Sequence, residues 1–325
     1  MRIKVLAILS LGLALVMGSP LSPSVWVSCA QENRSEAQQR PKVLIKTFRV
    51  AGGPEAIAFD GKNIWVASHI SNTVTKLKAQ DGTELGKFQV GERPVALAWD
   101  GTNVWVANLF ENTVMKLRGE DGKWLGTYWV GKQPTAVLFD GSSIWVVNSK
   151  SNSVTNLRAS DGQLMGTYKV GSRPMQIASD GSSIWVTNNG GNSVTKLRTN
   201  GELVGYFKAG ERPIGIACDG GNIWVSNFYG TSVTKMNLNG VILDTYAVED
   251  GPNRVTFANG SIWVSNYGAS TITKIDPRFG TVVNTLSVGR GPSGVVFDGH
   301  NIWVAGSGSN SVTRITEEKE VSQNQ

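Results

Sequence analysis

Two acid–base side chains fall in one short segment of this 325-residue sequence. His69 is one of two histidines and follows Trp65 by four residues, while Glu55 comes directly after Pro54. An imidazole beside a carboxylate can act as a general base with an orienting partner, or contribute ligands to a metal site. No further cluster of His, Asp or Glu accompanies the pair, so a solvated loop histidine is the competing interpretation. We therefore predict no catalytic centre, metal or cofactor; His69 and Glu55 are the candidates if a catalytic centre exists.

Arginines and aromatic residues recur at equivalent positions, directly before a proline or four to five residues after a tryptophan. Guanidinium groups and aromatic rings are common anchors for anionic or sugar-like ligands and for protein partners. The competing interpretation is that the arginines pair with the neighbouring Glu92, Glu211 and Asp250 and only solubilise the surface. The predicted ligand-binding residues are Arg93, Arg173, Arg212, Phe228, Tyr229 and Tyr267.

Several other chemistries lack their motifs. The sequence contains no G-x-S-x-G, no glycine-rich phosphate loop, no C-x-x-C pair and no acidic calcium loop. The formal net charge is +6, but no run of Lys or Arg stands out, so we do not expect nucleic-acid binding. The expected partner is a protein, a glycan or a small anionic ligand, and the expected oligomeric state is a monomer.

The candidate residues belong to a sequence repeat that predicts the fold. Each unit carries V-G-x-R-P, a short apolar run ending in Asp-Gly, then I-W-V-x-N, S-V-T-K-L and G-T-Y-x-V. Self-similarity with a period near 40 residues is typical of propellers and other repeat architectures. The repeated tryptophans, spaced 39 or 40 residues apart, are Trp65, Trp105, Trp145, Trp185, Trp224, Trp263 and Trp303.

Each unit contains four short segments rich in β-branched and aromatic residues, which favour strands. In the first unit they are AIAF (56–59), NIWV, TVTKL and GKFQV. Asp-Gly pairs such as 60–61 and 81–82 are expected to close the two hairpins, and Asn259-Gly260 is taken as the equivalent of the first pair in unit six. Four antiparallel strands in each of seven units predict an all-β, seven-bladed β-propeller.

The seventh unit lacks a fourth strand. It ends at SVTRIT (311–316), whereas VLIKTFRV (43–50) matches the fourth-strand pattern and precedes the first unit. We therefore predict that the N-terminal strand completes the last blade. This arrangement joins the two ends of the chain and leaves no open sheet edge across the ring.

The repeated side chains themselves are predicted to be structural. Blades pack face to face, so both faces of the second strand are buried and each tryptophan fills an interface. Cys218 occupies the position of Phe59 in the first unit and is expected to be a small buried side chain. His300 is expected to be a turn residue. The asparagines expected to hydrogen-bond the loop backbone are Asn108, Asn148, Asn188, Asn227 and Asn266.

The topology predicts which end of the blades could bind a ligand. The loop before strand one and the loop after strand two lie at the same end of each blade, and we call this end the loop rim. The Asp-Gly turns lie at the opposite end. All the candidate residues above belong to the loop rim, and loops on a rigid scaffold are where binding residues collect.

The N-terminus has the pattern of a secretory signal peptide. MRIK is a positive n-region, and the 14-residue apolar run that follows is too short for a comfortable transmembrane helix. Ser28 and Ala30 give the small-residue spacing for cleavage before Gln31; a lipid-modified Cys29 and an uncleaved anchor are the alternatives. We predict a signal peptide at 1–30, a flexible linker at 31–41, the propeller at 42–316 and a disordered tail at 317–325. The mature protein would be secreted or periplasmic, without a transmembrane segment.

The units resemble YVTN and NHL-type propeller repeats, in particular those of the streptogramin B (virginiamycin B) lyase family, over residues 42–316. The blades of that family carry a similar frame, P-x-G-I, D-G-x-I-W-F-T-E and N-x-I-G-R-I. The resemblance implies a catalytic His directly after the Pro of a late blade, a Glu four residues after the Trp of that blade, and Mg²⁺. This chain has Ser293 and Ser307 at those positions, and Asn253 after the Pro of blade six. None of these is a general base, so we expect the catalytic residues of that family to be absent.

The sequence thus predicts a binding or interaction scaffold that uses the loop rim. The alternative is a lyase or hydrolase related to streptogramin B lyase, with its site moved to Glu55 and His69. These residues occupy the same two positions in the first blade, with acid and imidazole exchanged. A purely structural role at the cell surface is the third interpretation.

Overall fold

Residues 42–318 form a ring of seven four-stranded antiparallel sheets in a computed structural model. This is the seven-bladed β-propeller that the repeat predicts. The predicted signal peptide, Cys29, the linker and the tail beyond residue 318 lie outside the described residues. Within residues 42–318 no helix is long and apolar enough to cross a membrane.

Blades 1 to 6 each consist of four strands that follow one another along the chain, whereas blade 7 combines three consecutive strands with β1 (Lys42–Arg49), which precedes blade 1. The remaining strands are, in blade 1, β2 (Pro54–Phe59), β3 (Asn63–Ser68), β4 (Thr73–Lys78) and β5 (Glu84–Gln89); in blade 2, β6 (Pro94–Trp99), β7 (Asn103–Asn108), β8 (Thr113–Arg118) and β9 (Trp124–Trp129); in blade 3, β10 (Pro134–Phe139), β11 (Ser143–Asn148), β12 (Ser153–Arg158) and β13 (Leu164–Lys169); in blade 4, β14 (Pro174–Ser179), β15 (Ser183–Asn188), β16 (Ser193–Arg198) and β17 (Leu203–Lys208); in blade 5, β18 (Pro213–Cys218), β19 (Asn222–Asn227), β20 (Ser232–Asn237) and β21 (Ile242–Ala247); in blade 6, β22 (Pro252–Ala258), β23 (Ser261–Asn266), β24 (Thr271–Ile275) and β25 (Val282–Ser287); and in blade 7, β26 (Pro292–Phe297), β27 (Asn301–Gly306) and β28 (Ser311–Glu318).

The first strand of each blade lines a central channel, and the fourth strand forms the circumference. First strands of neighbouring blades contact one another around the ring, including β2 with β26 at the junction of the first and last blades. Fourth strands such as β5 and β9 are exposed along most of their length. Side chains that point inward from the first strands can therefore meet only in the channel.

The ring closes as predicted, because β1 pairs with β28 and becomes the outermost strand of blade 7. β28 ends at Glu318, so residues 317 and 318 belong to the strand and not to the predicted tail. An ion pair between blades accounts for the longer strand. The carboxylate oxygens of Glu317 accept hydrogen bonds from Nζ of Lys274 in blade 6 at 2.7 and 2.6 Å.

The seven tryptophans fill the interfaces between blades, as predicted. Each has at most 1% of its surface exposed. Trp65 of blade 1 packs against Val104 and Val106 of blade 2, and Trp303 of blade 7 packs against second-strand residues of blade 1. The same contact thus repeats around the ring and across its closure.

Six turn aspartates hold the tryptophans as well as closing hairpins. In blade 1, Oδ2 of Asp60 accepts a hydrogen bond from Nε1 of Trp65 at 2.8 Å, and Oδ1 accepts from the backbone N–H of Lys62 and Asn63 at 2.8 and 2.6 Å. Burial raises the pKa of Asp60, but hydrogen bonds from Asn63 and Trp65 outweigh it and hold the pKa below its ordinary value of 3.8. The other pairs, at 2.6 to 2.7 Å, are Asp100–Trp105, Asp140–Trp145, Asp180–Trp185, Asp219–Trp224 and Asp298–Trp303.

Blade 6 departs from this arrangement, and the predicted equivalence of Asn259-Gly260 with the Asp-Gly pairs is wrong by one residue. Ala258 still belongs to β22 and pairs with Ser261, so Asn259 and Gly260 form a two-residue turn with φ of 47° and 69°. Two positive φ angles are what a type I′ hairpin requires. Ala258 therefore stands where the other blades have aspartate. As a result, the buried Nε1 of Trp263 has no hydrogen-bond partner among the described residues.

Lysines on the third strands of five blades join each of these blades to the next, whereas blade 3 has Asn156 at this position. Nζ of Lys76 lies 4.9 Å from the ring centroid of Trp65 and donates to the carbonyl oxygens of Gly119 and Glu120 in blade 2, at 2.7 and 3.0 Å. A cation over a desolvated aromatic face contributes about 1–2 kcal/mol. Arg314 has the same role at the closure, where Nη1 donates to the carbonyl oxygen of Gln80 at 2.7 Å. Equivalent lysines are Lys116, Lys196, Lys235 and Lys274.

Two smaller predictions need correction. The repeated asparagines bind side chains of the third strand instead of loop backbone: Nδ2 of Asn148, for example, donates to Oγ of Ser153 and Oγ1 of Thr155 at 3.2 and 2.9 Å. Cys218 is half-buried, not buried, because it lies beside the Asp219-Gly220 turn at the end of its strand. Its Sγ accepts a hydrogen bond from the backbone N–H of Gly220 at 3.4 Å, and burial raises the pKa of the thiol.

The aspartate–tryptophan bond predicts unequal effects of one substitution in two blades. Replacing Trp145 by Phe removes the donor to Asp140 and leaves a partly buried carboxylate oxygen without that partner, whereas Trp263 has no such acceptor to lose. Trp145→Phe should lower the free energy of unfolding by about 1–3 kcal/mol more than Trp263→Phe. Both side chains are fully buried, so the lost volume is matched, and denaturant titration of the two variants measures the difference. Equal destabilisation would show that the hydrogen bond contributes little.

Candidate functional site

The two sets of loops at the loop rim are joined by backbone hydrogen bonds. The N–H of His69 donates to the carbonyl oxygen of Gly53 at 2.8 Å, and the N–H of Leu109 donates to that of Arg93 at 3.0 Å. The other five blades repeat this bond. The residue four positions after each tryptophan is therefore held beside the residue that precedes the first strand of the same blade. The predicted site residues lie at this rim.

The residue before each of these prolines has a left-handed backbone. Glycine occupies the position in blades 1, 6 and 7, where Gly53, Gly251 and Gly291 have φ of 63° to 70°. In the other blades a residue with a side chain adopts it: Arg93, Gln133, Arg173 and Arg212 have φ of 49° to 56°. A residue other than glycine pays about 1–2 kcal/mol for this conformation. Side chains are therefore displayed at positions where glycine would be more stable.

The three predicted arginines are not neutralised by the acids beside them. None has a carboxylate oxygen of a described residue within 4.0 Å, so the ion pairs with Glu92, Glu211 and Asp250 do not form there. Arg93 lies over the ring of Phe110 at 5.1 Å, and Arg173 has no side-chain hydrogen bond within residues 42–318.

Arg212 is held by its neighbours in blades 4 and 5. Its Nη1 donates to Oδ1 of Asn189 at 3.2 Å, and its guanidinium lies 5.7 Å from the ring centroid of Tyr229. These are neutral partners, as for Arg93. The positive charges of the three arginines are therefore available to a ligand.

Three open pockets follow one another along the loop rim from blade 1 to blade 4. Their volumes are about 410, 190 and 390 Å³. Phe110 is shared by the first and second pockets, and Gln133 and Lys150 by the second and third, so the three pockets form one track. We call the basic residues that line it the basic track: Arg93, Lys132, Lys150 and Arg173. Glu92 also lines the first pocket.

Lys150 was missed by the sequence analysis. It follows Trp145 by five residues, the position that Phe110 and Tyr229 occupy in their blades. Comparing that position across all seven units would have found it. The signal was therefore present, but it was weaker than the arginines beside the prolines.

The predicted aromatic residues are only partly brought together. The rings of Phe228 and Tyr229 meet edge to face at 5.5 Å, and Phe228 also contacts Gly251 of blade 6. Tyr267 lies one blade further, against Gly291 of blade 7, and shares no ring contact with the other two among the described residues. Tyr229 and Tyr267 are 63% and 43% exposed, so both rings offer a face to a ligand.

His69 and Glu55 converge. Nδ1 of His69 lies 3.8 Å from Oε2 of Glu55, which is beyond hydrogen-bond distance, and both side chains are about four-fifths buried. Nδ1 is itself buried and has no hydrogen-bond partner among the described residues. The residues of 42–318 contain no group of three or more His, Cys, Asp or Glu that could hold a metal ion. The pair can therefore offer acid–base chemistry or two ligands at most.

Ser293 and Ser307, at the positions of the catalytic residues expected from the streptogramin B lyase resemblance, bind backbone carbonyl groups. Ser293 is fully buried, and its hydroxyl donates to the carbonyl oxygens of Pro54 and Ala305 at 3.4 Å. Oγ of Ser307 donates to the carbonyl oxygen of Gly291 at 3.1 Å. Asn253 is 9% exposed.

One further charged residue, Arg254, was missed by the sequence analysis. It lies on β22 two residues after Pro252, and its side chain lines a cavity of about 150 Å³ in the central channel. The charge of Glu55 acts on it, although the two do not form an ion pair within 4.0 Å. Small residues occupy the equivalent position in five blades, namely Ala56, Ala96, Ala136, Gly215 and Gly294. That contrast was visible in the repeat.

Comparison with known proteins supports the fold. No protein-family description matches the sequence, and no curated protein matches it either. Among solved structures, virginiamycin B lyase from Staphylococcus aureus superposes with a TM-score of 0.74 at 19% identity, covering 85% of this chain and 99% of the other. A streptogramin B lyase structure gives 0.74 at 21% identity, covering 85% and 98%. Hydrazine synthase from Kuenenia stuttgartiensis gives 0.72 at 18% identity, covering 81% and 95%. At such identities the likeness shows a shared fold.

The left-handed backbone of the arginines predicts that glycine is more stable than alanine at these positions, which is the reverse of the usual order. Arg173→Gly should be more stable than Arg173→Ala by about 1 kcal/mol, because glycine adopts φ of 49° without strain. Lys132 serves as the control, because its backbone is not left-handed. There the free energy of unfolding of Lys132→Ala should exceed that of Lys132→Gly by about 0.4–1 kcal/mol. Denaturant unfolding of the four variants measures both differences. If the Gly and Ala variants ranked in the same order of stability at both positions, the proposed backbone strain at Arg173 would be wrong.

Proposed function

We propose that this chain is a binding scaffold whose loop rim holds an extended anionic partner. The observation that carries the proposal is the set of arginines without carboxylate partners, displayed from left-handed backbone that glycine would fill at lower free energy. Strained positions are retained where the surrounding structure and a function both require them. A surface that only needed solubility would not place arginine there.

The shape of the basic track supports an extended ligand. Its three pockets are continuous and present four basic groups over blades 2 to 4. A small ion would fill one pocket, whereas a chain with repeated negative charges would contact all three. Guanidinium groups bind carboxylates and sulfates through paired hydrogen bonds. Arg212 and the exposed ring of Tyr229 extend the surface to blade 5, where a sugar ring could stack. An acidic polysaccharide or an acidic peptide segment fits these features.

Binding of polygalacturonate and of a poly-glutamate peptide tests the proposal. The triple variant Arg93→Gly/Arg173→Gly/Arg212→Gly keeps the backbone conformation and removes three charges, so affinity should fall at least tenfold. Ser270→Gly, at a left-handed position (φ 59°) in blade 6 that lines none of the three pockets, relieves the same strain without loss of charge and should bind as the wild type does. Titration calorimetry at two salt concentrations should also show a smaller salt dependence for the triple variant. Unchanged affinity of the triple variant, or an equal loss of affinity in Ser270→Gly, would refute binding at the basic track.

A second candidate function is a lyase or hydrolase activity at Glu55 and His69. The observation that favours it is their approach to 3.8 Å, with the buried Nδ1 of His69 lacking a hydrogen-bond partner among residues 42–318. An imidazole kept near a carboxylate can accept a proton from a substrate. The structural likeness to virginiamycin B lyase suggests a cyclic peptide antibiotic as the substrate to try.

Incubation with virginiamycin B, followed by mass spectrometry of the products, tests this candidate. His69→Ala should lower the rate at least 100-fold, since general base catalysis contributes about that much. Arg173→Gly, remote from the pair, should keep the wild-type rate. Absence of turnover by the wild type, or an unaltered rate in His69→Ala, would remove the candidate for this substrate.

A further inference from the structure

The central channel contains two long polar side chains that the repeat does not require. The cavity of about 150 Å³ is lined by residues from all seven blades, so it lies on the axis of the ring. Most of the lining residues are aliphatic, including Ile57, Leu97 and Val295, although polar atoms supply the larger part of the exposed wall. The long polar residues are Arg254 from blade 6 and Gln176 from blade 4, which both stand two residues after a proline; Thr256 also lines the cavity, and its hydroxyl donates to the carbonyl oxygen of Val295 at 3.1 Å.

Close packing around the axis explains why the other blades use small residues at this position. A Cβ added at Gly215 would lie 2.4 Å from the carbonyl oxygen of Asn253, and one added at Gly294 would lie 3.0 Å from that of Glu55. Long side chains at this level therefore need space that their neighbours leave open.

Both polar side chains present donors without acceptors. The guanidinium of Arg254 makes no hydrogen bond or ion pair with a described residue, and the charge of Glu55 acts on it only from a distance. Oε1 of Gln176 accepts a hydrogen bond from the N–H of Ile177 at 3.3 Å, which leaves Nε2 without a partner within residues 42–318. Arg254 is half-buried and lines the cavity, so an anion that enters can replace the water around its guanidinium.

We propose that the channel binds a short monocarboxylate, whose two oxygens are held by Arg254 and whose carboxylate also accepts a hydrogen bond from Nε2 of Gln176. A guanidinium fork matches the planar carboxylate, and the aliphatic side chains among the lining residues suit a short hydrocarbon body. The nearby negative charge of Glu55 disfavours a dianion such as phosphate. This site lies inside the ring and does not depend on the basic track.

The ligand reaches this site from the loop rim. The lining residues stand one to four positions beyond the prolines that begin the first strands, so the cavity lies within roughly 13 Å of the rim. A free short-chain acid and the C-terminal carboxylate of a peptide share this chemistry. The two sources differ in whether the hydrocarbon body ends in the cavity or continues out of the rim.

Titration of the full chain with propionate, followed by calorimetry, tests the site. The wild type should bind propionate in preference to phosphate, and Arg254→Gln, which keeps a polar side chain of similar length but removes the charge, should bind at least tenfold more weakly. Gln176→Ala, which introduces the residue found in three other blades, should weaken binding about threefold to tenfold. The rim variant Arg173→Gly should bind propionate as the wild type does, which separates this site from the proposed function.

A tripeptide with a free or an amidated C-terminus distinguishes the two sources. Preference for the free acid, abolished in Arg254→Gln, would assign a peptide terminus; binding of propionate alone would assign a free acid. Failure of the wild type to bind either probe, preference for phosphate, or unaltered affinity in both channel variants would overturn the proposal. Should Arg254→Gln not fold, Gln176→Ala and ¹⁹F NMR of trifluoropropionate with the wild type still decide it, because propionate must displace the fluorinated acid.

Discussion

The structure depends on a repeated contact in which one indole ring is held by three neighbours. Each tryptophan packs against the second strand of the next blade, and six of the seven donate Nε1–H to the aspartate of their own turn. A third-strand lysine lies over the ring in five blades, and in most it then donates to backbone carbonyls of the next blade. Burial of the ring contributes roughly 2–3 kcal/mol. The Nε1–H bond to aspartate fixes the orientation of the ring, and the lysine links the blade to the next one. Both contacts therefore favour one register between neighbouring blades.

Blade 6 is the place where this arrangement is relaxed. It has Ala258 at the aspartate position, and Nε1 of Trp263 has no hydrogen-bond partner in the part of the chain that the structure describes. Leu286 packs in the adjoining core. The same blade supplies Arg254 to the channel and Tyr267 to the rim. Natural sequences depart from their own structural rules mainly at functional sites, and the rest of the fold supports the departure. The coincidence in blade 6 therefore points to the channel and its mouth.

Charge is arranged differently at the two ends of the blades. At the turn end, aspartates bind tryptophan side chains and lysines bind backbone carbonyl groups, so both stabilise the packing of the blades. At the loop rim, Arg93, Arg173 and Arg212 have aromatic or amide partners, or none, among the described residues. A charge satisfied within the protein stabilises the fold, whereas a charge left free costs little at the surface and can attract a ligand. The turn end and the loop rim thus differ in whether their charged side chains are paired within the protein.

The fold could be read almost entirely from the sequence, because a period of 40 residues with four strand segments and two Asp-Gly turns admits few other architectures. The tryptophan ring, the closure by β1 and the placement of His69, Glu55 and the arginines at one rim followed from spacing and strand alternation alone. The tertiary structure decided what spacing does not encode. It showed that the turn aspartates bind tryptophan, that the register of Asn259 is shifted by one residue, and that Arg254 and Gln176 line the same cavity. The first two features join residues close in sequence but depend on turn geometry that residue spacing does not specify, whereas Arg254 and Gln176 share a cavity only once the ring has closed.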